Sequence, residues 1–137
     1  MRVCVLYCDA GNDTTCKDLA SSLAEGIGTQ GHIVDTIDMR HDAGKIVSFY
    51  EYFAIGTSSP SFWGGKIPDQ VTSFLKQSGS LSGKRCFAFV SKRGVRQAKT
   101  LQNLMRAMES QGMYLKYSDI LSNRGYAKEV GKRLIIS

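Results

Sequence analysis

The apolar residues fall into short runs separated by polar stretches rich in glycine, and the runs alternate between two periods. Arg2–Tyr7 is continuously apolar after its first residue and bounded by Asp9-Ala10-Gly11-Asn12, which predicts a buried strand. Thr14–Ile27 places Leu19, Ala20, Leu23, Ala24 and Ile27 at helical spacing, with Asp13, Thr14 or Thr15 as cap and Gly28 and Gly31 as stops. His32–Asp38 predicts a second strand and Phe49–Ile55 a third. Between them lie the polar stretch Arg40–Gly44 and room for a single turn around His41–Val47 as the crossover. Pro68 opens a helix whose inner face is Val71, Phe74 and Leu75. Arg85–Val90 is a fourth strand, Gln97–Ser110 a helix facing inward through Leu101, Leu104, Met105 and Met108, Met113–Leu121 a fifth strand, and Tyr126–Ile136 a closing helix.

The resulting order, β-α-β-β-α-β-α-β-α, predicts an α/β fold. Strands too apolar to keep a wet face belong in a parallel sheet covered on both sides, so the architecture is three-layered, a five-stranded parallel sheet between helices. No internal repeat, low-complexity run or linker divides residues 1–137, which predicts a single domain.

Composition adds exclusions. With 42% hydrophobic and 22% charged residues the chain is globular in type. Its apolar runs are far too short to span a bilayer, and Met1-Arg2-Val3-Cys4-Val5 enters a strand pattern with no signal-peptide layout, so a cytoplasmic protein with no membrane contact is expected. Cys4, Cys8, Cys16 and Cys86 match no zinc spacing and predict no metal site. Cys4 and Cys86 read as small hydrophobes inside strands. The net charge of +6 is unevenly placed: residues 1–83 sum to −3 and residues 84–137 to +9. Such asymmetry suits an acidic protein partner or a solvated basic face better than it argues for nucleic acid.

In an open parallel sheet, ligands bind beyond the carboxyl ends of the strands. Three predicted loops leave strands at that edge, Cys8–Thr15, Thr57–Gly65 and Ser91–Arg96, and each holds glycine with serine or threonine. Small residues let backbone N–H groups approach a phosphate, and a following helix N-terminus favours the anion. The first loop, between a strand and a helix, is therefore a phosphate-cradle candidate, although the same residues also make an ordinary turn. It is neither a Walker motif nor G-x-G-x-x-G. The second loop carries Phe62 and Trp63 between a Ser/Pro turn and a glycine pair. Aromatics there either stack on a planar ring or fold back onto the core.

These residues resemble the flavodoxins and related flavin mononucleotide (FMN) proteins. The stretch FYEYFAIGTSSPSFWGGKIPDQVTSFL, Phe49 to Leu75, is similar to their centre, where a strand ends in Gly-Ser/Thr-Pro-x-Tyr before Gly-Gly, Pro and an amphipathic helix ending in Phe-Leu. Ala10-Gly11-Asn12-Asp13-Thr14 resembles their Thr-Gly-Asn-Thr phosphate loop, and Ser91–Met113 their third loop and helix. The resemblance implies strand order 2-1-3-4-5 and an FMN cofactor. It implies that Asn12, Thr14 and Thr15 meet the phosphate, with Ala10, Gly11 and Asp13 in the same loop. Phe62 or Trp63 would stack on the flavin, with Thr57 and Ser58 beneath the ribityl chain and Ser59, Pro60 and Gly64 beside them. Ser91, Arg93 and Gly94 would lie at the pyrimidine end. The chain departs from the family in carrying Asp9 and Asp13 in the phosphate loop, an extra serine before Pro60, and Lys92, Arg93 and Arg96 in a loop that is usually glycine-rich or acidic.

The function implied is electron transfer by an FMN-binding flavodoxin-like protein, monomeric or homodimeric, serving a redox partner protein. The basic third loop would stabilise a reduced, anionic flavin and raise its potential. Nothing in the chain demands a substrate reaction; His32 and His41 stand at a strand start and in a polar loop, and no residue is assigned a catalytic role. Two other readings use the same fold: a flavin-free binding module presenting its basic C-terminal half to a partner, and a small FMN-dependent NAD(P)H:quinone-type reductase.

Overall fold

The structure, a computed structural model, describes residues 1–58, 65–92 and 96–137. Its elements are β1 (Arg2–Cys8), α1 (Thr15–Gly28), β2 (Ile33–Asp38), β3 (Tyr52–Thr57), α2 (Asp69–Gln77), β4 (Arg85–Ser91), α3 (Gln97–Ser110), β5 (Tyr114–Leu121) and α4 (Arg124–Arg133). The five strands form one sheet in the order β2-β1-β3-β4-β5, with every neighbouring pair parallel.

The pleat explains why the central strands read as unbroken apolar runs. Alternate residues of a strand point to opposite faces, and both faces here are covered. Cys4, Leu6, Cys8, Phe53, Ile55, Cys86, Ala88 and Val90 pack under Val71, Phe74 and Leu75 of α2 and Leu104 and Met108 of α3. Val3, Val5, Tyr7, Tyr52, Ala54, Phe87 and Phe89 pack under Leu19, Ala20, Leu23 and Ile27 of α1 and Ala127 and Val130 of α4. No helix among the described residues is long and apolar enough to cross a membrane.

The third strand and the last helix differ in their bounds from the sequence pattern. The third strand begins at Tyr52, not Phe49. Residues 47–50 form a turn in which the Tyr50 N–H donates to the Val47 carbonyl at 3.1 Å. Phe49 is left outside, its ring stacked on Tyr50 at 4.4 Å between centroids and covered by the Arg2 guanidinium at 4.8 Å. The crossover from β2 to β3 is made by turns at Asp42 and Lys45, within the stretch expected to turn, and the Val47 N–H donates to the Ser78 carbonyl at 3.0 Å. The last helix starts earlier and stops earlier than its apolar spacing suggests. Asn123 caps it by accepting the Tyr126 N–H at 2.8 Å. At its end, the Gln30 amide donates to the carbonyls of Gly131 and Leu134 at 2.7 and 2.9 Å, satisfying acceptors that an ending helix leaves open.

Candidate functional site at the carboxyl rim of the sheet

Because all five strands are parallel, their carboxyl ends share one edge. Cys8 pairs with Thr57, Thr57 with Val90, and Ser91 with Leu121, so the exits of β1, β3, β4 and β5 stand side by side. The Ser58 N–H donates to the Cys8 carbonyl at 3.2 Å and the Lys92 N–H to the Leu121 carbonyl at 3.1 Å, which continues the ladder one step beyond the strands. Thr57 is fully buried, and its hydroxyl donates to the Cys8 carbonyl at 3.3 Å. The same hydroxyl lies 3.3 Å from the Ser58 carbonyl, so it braces the rim from within. Ser58 and Ser91, at the ends of adjacent strands, differ: both are buried and neither hydroxyl has a hydrogen-bond partner among the described residues. Two unmet hydroxyls so close to an edge are costly unless something accepts or donates there.

The loop after β1 is built around its own carboxylates. Asp9 is 3% exposed. One of its oxygens accepts the Cys16 N–H at 2.8 Å and the other the Lys17 N–H at 2.9 Å. Asp13 accepts both the N–H and the hydroxyl of Thr15, at 3.0 and 2.6 Å. The amides of the first three residues of α1, which a helix cannot satisfy itself, are thus all taken by side-chain carboxylates. Burial pushes the Asp9 carboxyl above its usual range, and the two amides pull it back less strongly. Between Asp9 and α1 the chain turns through Gly11, whose φ of +57° suits a residue without Cβ. The Arg40 guanidinium holds this turn from the β2 side by donating to the Gly11 carbonyl at 2.9 Å.

No family model matches the chain, and no curated protein matches it by sequence. Solved structures do. A flavodoxin from the domain Archaea superposes with a TM-score of 0.70 over 96% of this chain and 94% of its own, at 17% identity. Oxidised Flavodoxin 1 from Bacillus cereus gives 0.72 over 97% and 99%, also at 17% identity. The chain has the flavodoxin-like fold. An NAD(P)H:quinone oxidoreductase from Methanothermobacter marburgensis shares it, with a TM-score of 0.66 over 98% of this chain and 99% of its own at 12% identity.

On this flavodoxin-like fold the residues named from sequence divide into three groups. Ala10, Gly11, Asn12 and Thr14 lie exposed on the first loop, while Asp13 and Thr15 are engaged with each other. Thr57, Ser58 and Ser91 sit at adjoining strand ends, with the Thr57 hydroxyl bonded inside the rim. Ser59, Pro60, Phe62, Trp63, Gly64, Arg93 and Gly94 lie outside the described residues.

FMN combines a ring, a polyol chain and a phosphate, and the rim treats these parts differently. The unmet hydroxyls of Ser58 and Ser91 suit the neutral, hydrogen-bonding ring and polyol. The phosphate does not fit the N-terminus of α1 as it stands, because Asp9 and Asp13 already occupy the amides of Cys16, Lys17 and Thr15, of which the resemblance names only Thr15. A dianion entering there would also meet two carboxylates at close range.

A groove of about 510 Å³ opens beside the loop, lined by Asp9, Ala10, Gly11, Arg40, Lys66, Ile67 and residues 68–70. Arg40 and Lys66 are the site residues that the sequence pattern missed. Arg40 stands in a stretch with no local motif and Lys66 is no part of the pattern in the stretch that holds it, and only the fold brings β2's exit and the start of α2 to the β1 loop. Asp9 was visible as a charge beside a phosphate candidate, but not as a cap. It lies seven and eight residues before its amides, whereas an ordinary capping carboxylate lies two or three before them.

Proposed function

We propose that the chain is a flavin-binding electron carrier that holds the ring over the ends of β3 and β4. The observation that carries this reading is the pair of buried, unpartnered hydroxyls at Ser58 and Ser91, on neighbouring strands at the edge where a parallel sheet binds ligands. The likeness of the whole chain to flavodoxins supports it. A bound flavin would supply the electron transfer itself. The chain's own residues would hold the ring: Ser58 and Ser91 by hydrogen bonds, and Phe62 or Trp63 by stacking, as the sequence implies. The basic residues of the C-terminal half, Lys92, Arg96 and Lys99 among them, would receive an acidic redox partner beside the same edge.

The test is direct. Purified protein is titrated with flavin while the flavin fluorescence and the visible absorbance band are followed. Saturable quenching that Ser58→Ala combined with Ser91→Ala weakens supports the reading. Absence of binding at any flavin concentration removes it and leaves the flavin-free module, which the closed first loop favours.

A further inference from the structure

The first loop of this fold does something here that its resemblance to a phosphate loop does not explain. A helix N-terminus attracts an anion through its free N–H groups and its partial positive charge. In this chain the anion is built in. Asp9, fixed at the end of β1 and nearly sealed from solvent, reaches seven residues forward and spans the amides of Cys16 and Lys17 with its two oxygens. Asp13 takes the amide and hydroxyl of Thr15. We propose that Asp9 stands where a ligand's phosphate would sit, so that the rim selects a neutral, unphosphorylated flavin over a phosphorylated one. This rests on the flavin reading above and specifies its ligand.

Three features make the closure more than an incidental cap. It is bidentate, so both carboxylate oxygens are satisfied and a phosphate could enter only by displacing a charged group that would then be left buried and unpaired. The turn that delivers Asp9 is itself fastened, by Arg40 on the Gly11 carbonyl and by the Asp13 N–H on the Ala10 carbonyl at 3.1 Å. Among the described residues the lining of the neighbouring groove carries no net positive charge to attract a phosphate. Arg40 and Lys66 line it, but so do Asp9 and Asp69, and the four formal charges cancel.

The experiment compares riboflavin with FMN, which differ only in the phosphate. Dissociation constants are measured by fluorescence quenching for wild type, Asp9→Ser and Asp9→Asn, with circular dichroism as the check on folding. Wild type is expected to bind riboflavin roughly tenfold or more tightly than FMN. Asp9→Ser, which frees the two amides and removes the charge, should narrow or reverse that ratio by a similar factor, and Asp9→Asn should fall between. Equal affinity of wild type for the two flavins overturns the proposal while leaving the flavin reading intact. Failure of all three proteins to bind either flavin overturns both. A readout that needs neither a variant nor a flavin is the amide spectrum of wild type under inorganic phosphate. The peaks of Thr15, Cys16 and Lys17 should not move, and a saturable shift there contradicts the closure.

Discussion

Gly26 of α1 and Gly131 of α4 meet where the two helices cross, so closely that a Cβ on Gly131 would lie 3.0 Å from the Gly26 Cα and 2.4 Å from the Leu23 carbonyl oxygen. A Cβ on Gly26 would lie 2.1 Å from the Lys128 carbonyl oxygen. Glycine costs helix stability, so its presence in both helices follows from the backbone contact. Gly26→Ala and Gly131→Ala should each destabilise the protein by about 1–3 kcal/mol, despite the better helix propensity of alanine. Urea denaturation of each variant checks this; a gain in stability would show that the crossing is looser than described.

A second close approach lies under the rim. A Cβ on Gly56 would fall 2.1 Å from the Phe89 ring. Gly56→Ala should therefore cost about 1–3 kcal/mol, and Phe89→Leu in the same chain should recover part of the loss. A double-mutant cycle with no coupling between the two sites contradicts this packing.

All four cysteines are buried and free. Burial pushes the thiols up, to about 12 for Cys4 and Cys86 and about 11 for Cys8, and well above the ordinary value for Cys16. The thiolate is the reactive form, and a rise of two units lowers its fraction about 100-fold. A colorimetric thiol reagent at pH 8 should find almost no fast-reacting groups in the native protein and four in denaturant. A fast native equivalent assignable to Cys8 or Cys16 would contradict the described burial of the first loop.

Asp9 makes stability depend on pH in a defined direction. Well below the ordinary aspartate value its carboxyl is protonated in both folded and unfolded chains. As the pH rises, the unfolded chain releases its proton first, because burial holds the folded carboxyl above that value. Asp9 therefore lowers stability as pH rises from the ordinary value to the raised one, and the effect is constant above it. The stability of wild type relative to Asp9→Asn should fall across that window and then level. A difference that rises with pH would mean that the amides of Cys16 and Lys17 outweigh burial.

The layers and the rim could be read from the chain because each rests on a local signal that the packing reinforces, whereas the strand order followed only from the family resemblance. The apolar strands Arg2–Tyr7 and Arg85–Val90 and the helix Gln97–Ser110 emerge within a residue or two of their expected bounds. Aromatic residues favour strands, but at Phe49 the turn at residues 47–50 and its stacking on Tyr50 override that preference. The site was less legible. Thr57 looked like a ligand residue, yet its hydroxyl is used within the rim. Asp9 and Asp13 read in the sequence as obstacles to an anion, and in the fold they cap the amides of Thr15, Cys16 and Lys17. Contacts such as Arg40 to Gly11 join residues far apart in sequence, which no local pattern encodes.

The central claim is that a flavin ring occupies the rim while the N-terminus of α1 stays closed by Asp9. Amide chemical-shift mapping of the wild-type protein with riboflavin tests it most directly. The account predicts saturable shifts at Ser58, Ser91 and Lys92 and none at Thr15, Cys16 and Lys17. Shifts centred on the α1 amides, or none anywhere along the rim, would contradict it.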